Sequence, residues 1–314
     1  MQPVSNNAIK KEREYILEIQ PPFPRNMLVE VSNICNNECI FCGHHKMKRM
    51  QGNCDTNVML NILNQAYDAG TREVGFYMQG EPLLNNELEI YISFCKRIGF
   101  EYIYITTNGV YATADKIEKL CKAGLSSIKF SINSATKETY KKIHGRDNFD
   151  IVIKNFYEII NKKRKGKIDI PIFASYVVVR ENETEIDEFK KIIGAYCDDV
   201  DIVYAKNQAG NMPELESGMD IPCIQLFNRL HITKEGYLNA CCSDIDNMLA
   251  VADLQELPLQ EAWNSDLMIE IRRQHLEGKI GNNICYNCIY GRYDREILPL
   301  NKGLYMKSIP SRKE

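Results

Sequence analysis

An α/β fold on a parallel sheet is predicted by two features of the chain. Apolar strand-like runs alternate with helical periodicities, and this order repeats through six units before residue 206. Parallel neighbours need crossover connections of this kind, usually helices. Six units fall short of the eight strands of a closed barrel, so an open, partial barrel and a doubly wound sheet both fit.

Strands are expected at Met27–Ser32, Glu73–Met78, Glu101–Thr106, Ser127–Ile132, Ile170–Val179 and Asp199–Ala205. Helical periodicity fills the gaps at Asp55–Ala69, Glu87–Ile98, Thr113–Ala123, Phe149–Lys165 and Thr184–Tyr196. Asp55 or Thr56 caps the first helix. Thr113 caps the third, which stops at Gly124. The basic run from Lys162 to Lys167 ends the fourth, where cations meet the negative end of the macrodipole. After Ala205 the pattern breaks. Residues 206–222 are polar, with two prolines and two glycines, and read as a linker. A cysteine-bearing segment follows, with a hairpin-like stretch (LHITKEGYLNACC) and a helix near Leu259–His275. It is too small to bury a sizeable core alone, so a staple such as a metal is expected.

The 314 residues, 44% hydrophobic and 26% charged, suit one large domain with an appendage. A formal charge of −3 offers no basic field for nucleic acid. No stretch approaches the roughly 20 apolar residues of a membrane span, and the N-terminus lacks a secretory h-region. A cytoplasmic protein is expected. In that reducing compartment its 12 cysteines point to metal or redox chemistry rather than a disulfide scaffold.

CNNECIFC places Cys35, Cys39 and Cys42 within eight residues, directly after the first strand. Thiolates are soft ligands, suited to iron–sulfur clusters, zinc or copper(I). Three thiolates on a four-iron cubane leave one iron open for a small-molecule ligand, and an open position permits chemistry. A three-cysteine zinc site is the alternative. Cys285 and Cys288 form a CxxC pair, joined by Cys223 and Cys241. Four cysteines fit either a closed cluster or a structural zinc site.

The CxxxCxxC spacing, Phe41 before the third cysteine and the strand-first context resemble the radical S-adenosylmethionine (SAM) superfamily. The resemblance implies a partial (β/α)6 barrel over residues 27–205, behind an N-terminal extension of residues 1–26. It also implies SAM on the open iron of a [4Fe–4S] cluster, a 5′-deoxyadenosyl radical, and a flavodoxin- or ferredoxin-like reductant. Gln79-Gly80-Glu81-Pro82 resembles the family's GGEP element, with Gln in place of the first Gly; Gly80 and Glu81 would meet the SAM amino group. Thr107-Asn108-Gly109 is similar to its TNG turn. Ser131 and Asn133 stand where relatives place polar side chains around the SAM ribose and carboxylate. Arg180 ends the fifth strand and Lys206 follows the sixth, so each candidate lies at a strand C-terminus, the side on which barrel sites assemble.

Residues 223–290 resemble the shortened SPASM domain called twitch, a small α+β unit. The resemblance rests on Pro222-Cys223, Gly236 with Cys241, Ala262-Trp263-Asn264-Ser265 and the final CxxC. It implies a second, auxiliary [4Fe–4S] cluster on Cys223, Cys241, Cys285 and Cys288, suited to electron transfer. Cys242 is a replacement for Cys241, a bystander, or a thiol returning hydrogen to a substrate radical. Residues 291–314 form a tail. The expected function is oxidation of a polar small molecule of sugar or aminocyclitol type, with Arg180 or Lys206 binding or deprotonating a hydroxyl. A peptide-modifying maturase or epimerase is the second reading, and a non-catalytic zinc module the third. The short segment before the first strand favours a small substrate.

Overall fold

The computed structural model describes residues 16–217 and 220–310. Six short strands carry the first part of the chain: β1 (Asn26–Val29), β2 (Glu73–Phe76), β3 (Tyr102–Thr107), β4 (Ser127–Ser131), β5 (Ile172–Val178) and β6 (Asp199–Tyr204). Each pairs in parallel with its sequence neighbour, as a partial (β/α)6 barrel requires. Between them run α1 (Thr56–Asp68), α2 (Leu88–Ile98), α3 (Ala114–Ala123), α4 (Lys137–His144), α5 (Phe149–Arg164) and α6 (Ile186–Ile192). Asp55 and Thr113 cap α1 and α3 by accepting the amides of Val58 and Lys116.

Strand alternation decides what faces where. Ile103, Ile105, Ile128, Phe130, Ala174 and Tyr176 are buried on the helix side, where Phe130 meets Phe156 edge-on at 5.4 Å and Tyr176 packs on Phe189. The alternate positions, among them Tyr102, Tyr104, Lys129, Ser131, Ser175 and Asp201, face the barrel lumen.

The cysteine-bearing segment joins the same sheet. β7 (Arg229–Ile232) lies parallel to β1, with Asn26 opposite Arg229 and Leu28 opposite His231. β8 (Tyr237–Asn239) and β9 (Ala250–Asp253) follow antiparallel. Among the described residues the nine strands run in the order β6-β5-β4-β3-β2-β1-β7-β8-β9. Short α7 (Gln225–Asn228), α8 (Leu259–Trp263), α9 (Asp266–Glu277), α10 (Ile284–Tyr290) and α11 (Lys302–Ser308) complete this part.

Three helices differ from the sequence expectation. Lys137–His144 is helical between a Thr136 cap and a left-handed Gly145. The helix expected over Thr184–Tyr196 is α-helical only across Ile186–Ile192, with a 3-10 turn on either side. The one expected over Leu259–His275 breaks at Asn264 and Ser265, where Trp263 is buried beneath the Arg272 guanidinium at 3.9 Å.

Candidate active site

The first cysteine loop leaves β1 and is held from several sides. The amides of Glu38 and Ile40 donate to the carbonyls of His144 and Ile143 at the end of α4. His144 is buried, and its Nε2 lies 2.6 Å from the Ile132 carbonyl. A carbonyl only accepts, so Nε2 carries the proton and Nδ1 presents its lone pair to the Asn37 amide at 3.3 Å and the Cys39 sulfur at 3.2 Å. Burial holds this imidazole down at about 4, so it stays neutral.

All three thiols are free, and they interact electrostatically. Burial pushes Cys35 up to about 12, against the Asn37 amide, and also raises Cys39 and Cys42. Buried thiols that repel one another as thiolates fit a group that supplies compensating positive charge. Among the described residues no three Cys, His, Asp or Glu side chains converge closely enough to hold a single metal ion; a cluster, whose irons keep the ligands apart, does not need that convergence.

The neighbouring loops brace this one. A Cβ on Gly80 would lie 2.2 Å from the Ser32 carbonyl oxygen, so only glycine lets the turn after β2 approach the cysteine loop. Glu81 is buried, which raises its carboxyl despite three hydrogen bonds. Its Oε1 accepts from Thr107 Oγ1 at 2.8 Å and the Leu83 amide at 3.1 Å, and its Oε2 from the Asn108 amide at 2.8 Å. Glu81 thus ties the turn after β2 to that after β3, and Pro82 opens a 3-10 turn beside it. Asn108 reaches on to Asn36 at 2.9 Å and towards Cys35 at 4.0 Å. Ser131 sits half-buried at the end of β4. Asn133, left-handed at φ 57°, donates to Ser131 Oγ at 3.2 Å and accepts the Val177 amide at 2.8 Å, joining β4 to β5.

Phe41, Val177, Val203, Lys206 and Gln208 line a cavity of about 330 Å³ together with Cys223, Cys241, Cys242, Cys285 and Cys288. The second cysteine set therefore opens onto the barrel mouth. Burial raises Cys223 to about 11 and Cys285 and Cys288 upward as well, as for the first set. The Ser243 amide donates to Cys241 Sγ at 3.3 Å. Of the adjacent pair Cys242 is the more acidic, through a hydrogen bond from Cys241 and then the nearby His231 and Arg229.

The exposed candidates lie further out. Lys206 lines the cavity but pairs with Glu216 at 3.0 Å, its side chain 43% exposed. Arg180 is exposed on an adjoining surface groove with Ile40, Glu181 and Glu183, which shares Tyr204 and Ala205 with the cavity, and does not itself line the cavity.

The sequence reading missed the polar lumen. Lys129 of β4 and Asp201 of β6 form an ion pair across β5. The rings of Tyr102 and Tyr104 lie 5.5 Å apart, tilted by 37°, and Asn26 bonds Tyr104 at 3.1 Å. His231 is buried beside Cys242, on whose thiol it acts electrostatically. A charge at mid-strand, out of phase with an apolar alternation, was the available signal: SIKFS around Lys129 and DVDIV around Asp201 both carry it. Also missed was Arg49, whose guanidinium bonds both Glu30 oxygens at 3.0 Å and Glu235 at 2.8 Å, tying the first cysteine loop to the β7–β8 hairpin.

Residues 29–193 match the model of the radical SAM superfamily, and the chain belongs to that superfamily. Residues 223–289 match the SPASM iron–sulfur cluster-binding domain. Its cofactors are accordingly SAM and iron–sulfur clusters, one of them auxiliary. A probable GTP 3′,8-cyclase of Saccharolobus islandicus is 31% identical over 173 residues, 52% of this chain and 51% of the relative. The chain thus spans about half the length of the curated relatives it matches. BtrN, solved in complex with AdoMet and 2-DOIA, shares the fold at TM-score 0.60 and 17% identity, over 88% of this chain and 98% of BtrN. SuiB of Streptococcus suis, bound to precursor peptide SuiA, does so at TM-score 0.65 and 16% identity, over 80% of this chain and 67% of SuiB. Among the described residues no helix is long and apolar enough to cross a membrane.

Proposed function

We propose that this radical SAM enzyme is an oxidoreductase that dehydrogenates a polar small molecule at a hydroxyl-bearing carbon. When bound, SAM at the reduced first cluster supplies a 5′-deoxyadenosyl radical for hydrogen-atom abstraction, and the auxiliary cluster supplies an acceptor for the electron that dehydrogenation releases. Cys35, Cys39 and Cys42 would hold the first cluster, and Cys223, Cys241, Cys285 and Cys288 the second. Gly80, Asn108, Ser131 and Asn133 would shape the SAM site, with Glu81 and Pro82 fixing the turn beside it. Phe41 would cover the first cluster from the cavity side.

The observation that carries this reading is the single cavity of about 330 Å³ shared by the second thiol set and the barrel mouth. That volume suits a small ligand. The lumen beneath it presents hydrogen-bonding groups in place of the apolar filling of a closed barrel. Cys242 lines the same cavity, where its thiol in the protonated form could return a hydrogen atom, which would make the outcome epimerisation.

The test uses protein reconstituted with iron and sulfide without oxygen, then given dithionite, SAM and a panel of polyols and amino sugars. The reading expects 5′-deoxyadenosine and a matching carbonyl product. A Cys285→Ser, Cys288→Ser variant should form 5′-deoxyadenosine with little carbonyl product. Inert polyols alongside a modified peptide would reject the small-molecule reading.

A further inference from the structure

We infer that the Lys129–Asp201 pair is the substrate anchor of this site, holding a hydroxyl group of a polyhydroxylated small molecule. The inference rests on the dehydrogenase reading above and locates its substrate.

Register places the pair. Ser131 stands opposite Ser175 and Ser175 opposite Asp201, so the three occupy one level of the lumen on adjacent strands. Ser131 is one of the residues proposed to shape the SAM site. One step higher, Val177 stands opposite Val203, and both line the cavity of the auxiliary thiols. Asp201 therefore sits level with Ser131 of the proposed SAM site and one register step below two residues of the cavity that the auxiliary thiols line.

The chemistry of the pair is incomplete without a ligand. Lys129 Nζ pairs with Asp201 Oδ2, while Asp201 Oδ1 has no hydrogen-bond partner among the described residues, although Asp201 is only 9% exposed. A buried carboxylate oxygen left without a donor is costly, and buried polar groups are normally satisfied. A buried ion pair is also a poor stabiliser compared with apolar packing, so stability alone does not account for this one, whose side chains keep 15% and 11% of their surface exposed. A substrate hydroxyl can donate to Oδ1 and accept from the ammonium of Lys129, satisfying both partners at once. An apolar ligand cannot. Of the two residues expected from sequence to meet the hydroxyl, Lys206 lines the cavity and pairs with Glu216, and Arg180 is exposed on the adjoining groove.

Binding is measured by equilibrium dialysis of radiolabelled myo-inositol and glucosamine against reconstituted, SAM-loaded, unreduced protein, with a serine-containing peptide as the contrasting probe. The anchor predicts binding of a polyol probe that Asp201→Asn weakens about tenfold or more, the effect of losing a charge-assisted hydrogen bond. Because a lone buried charge can unfold the lumen, a Lys129→Met, Asp201→Leu double variant is included. It removes both charges and should keep iron content and thermal stability while losing the probe. Polyol binding unchanged in both variants would overturn the anchor and leave the small-molecule reading intact. Binding of the peptide alone would overturn both.

Discussion

The side-chain oxygen of Gln208 accepts the backbone amide of Gly43 at 2.8 Å, joining the linker to the first cysteine loop. The preceding residue, Asn207, donates to the carbonyls of Asn287 and Cys288 at 3.1 and 3.2 Å, inside the second cysteine set. Two consecutive residues thus each hold one of the two sites. Gln208 and Ala209 adopt left-handed backbone at φ 44° and 56°, a conformation costly for residues with a Cβ and kept where surrounding contacts enforce it. Asn207 and Gln208 brace the two sites.

Removal of that brace should loosen the first site before the second. Gln208→Ala deletes about 1 kcal/mol of hydrogen bonding, equivalent to roughly fivefold faster loss of first-site iron to a chelator. Absorbance bleaching in a Cys285→Ser, Cys288→Ser background isolates that site. Equal bleaching rates with and without Gln208 would show that the brace does not hold the loop.

Arg49 gives a larger effect. Its partner Glu30 is fully buried, so Arg49→Met leaves that carboxylate without its guanidinium at a cost of about 3–5 kcal/mol, while Glu235 keeps Lys234 at 3.2 Å. Urea unfolding followed by circular dichroism measures it. Burial opposes ionisation of Glu235, but Arg49 and Lys234 outweigh it and hold the carboxyl below its ordinary value. That stabilisation is complete above the unfolded glutamate pKa of about 4.3 and is lost as the pH falls through the lower folded value. The wild-type unfolding midpoint should therefore drop on acidification below that point, and Glu235→Gln should flatten this part of the profile.

Gly80→Ala should fail at SAM binding rather than at folding. The added Cβ, 2.2 Å from the Ser32 carbonyl, displaces the turn after β2 from the first cysteine loop. The expected result is normal circular dichroism with SAM affinity lowered about tenfold or more, read by equilibrium dialysis. Wild-type affinity would mean that the turn can shift without harm to the SAM site.

Arg180→Ala should leave 5′-deoxyadenosine formation within about twofold of wild type, as surface substitutions do. The exposed groove position of Arg180 is the reason. A loss of tenfold or more would bring Arg180 back into the substrate site.

What the sequence showed and what it hid have physical causes. The six parallel strands were legible because each is a local apolar run, and the first cysteine set and the Cys285–Cys288 pair because their spacing is local. The pairing of β7 with β1 was not, since Asn26 and Arg229 meet only through the tertiary fold. The helix Lys137–His144 is mostly polar, and its Thr136 cap and Gly145 stop were the signals that went unread. Asp201 and Lys129 looked like ordinary strand polarity until register placed them beside Ser131. The left-handed turn at Gln208 and Ala209 left no trace, because neither residue type favours it.

The most direct test of the account follows one hydrogen atom. A polyol deuterated at its carbinol carbons is incubated with the reconstituted protein, SAM and dithionite, and the 5′-deoxyadenosine is analysed by mass spectrometry. The account predicts deuterium in the 5′-deoxyadenosine and a carbonyl at the labelled carbon. Unlabelled 5′-deoxyadenosine from every polyol, with deuterium arriving instead from a labelled peptide, would contradict it.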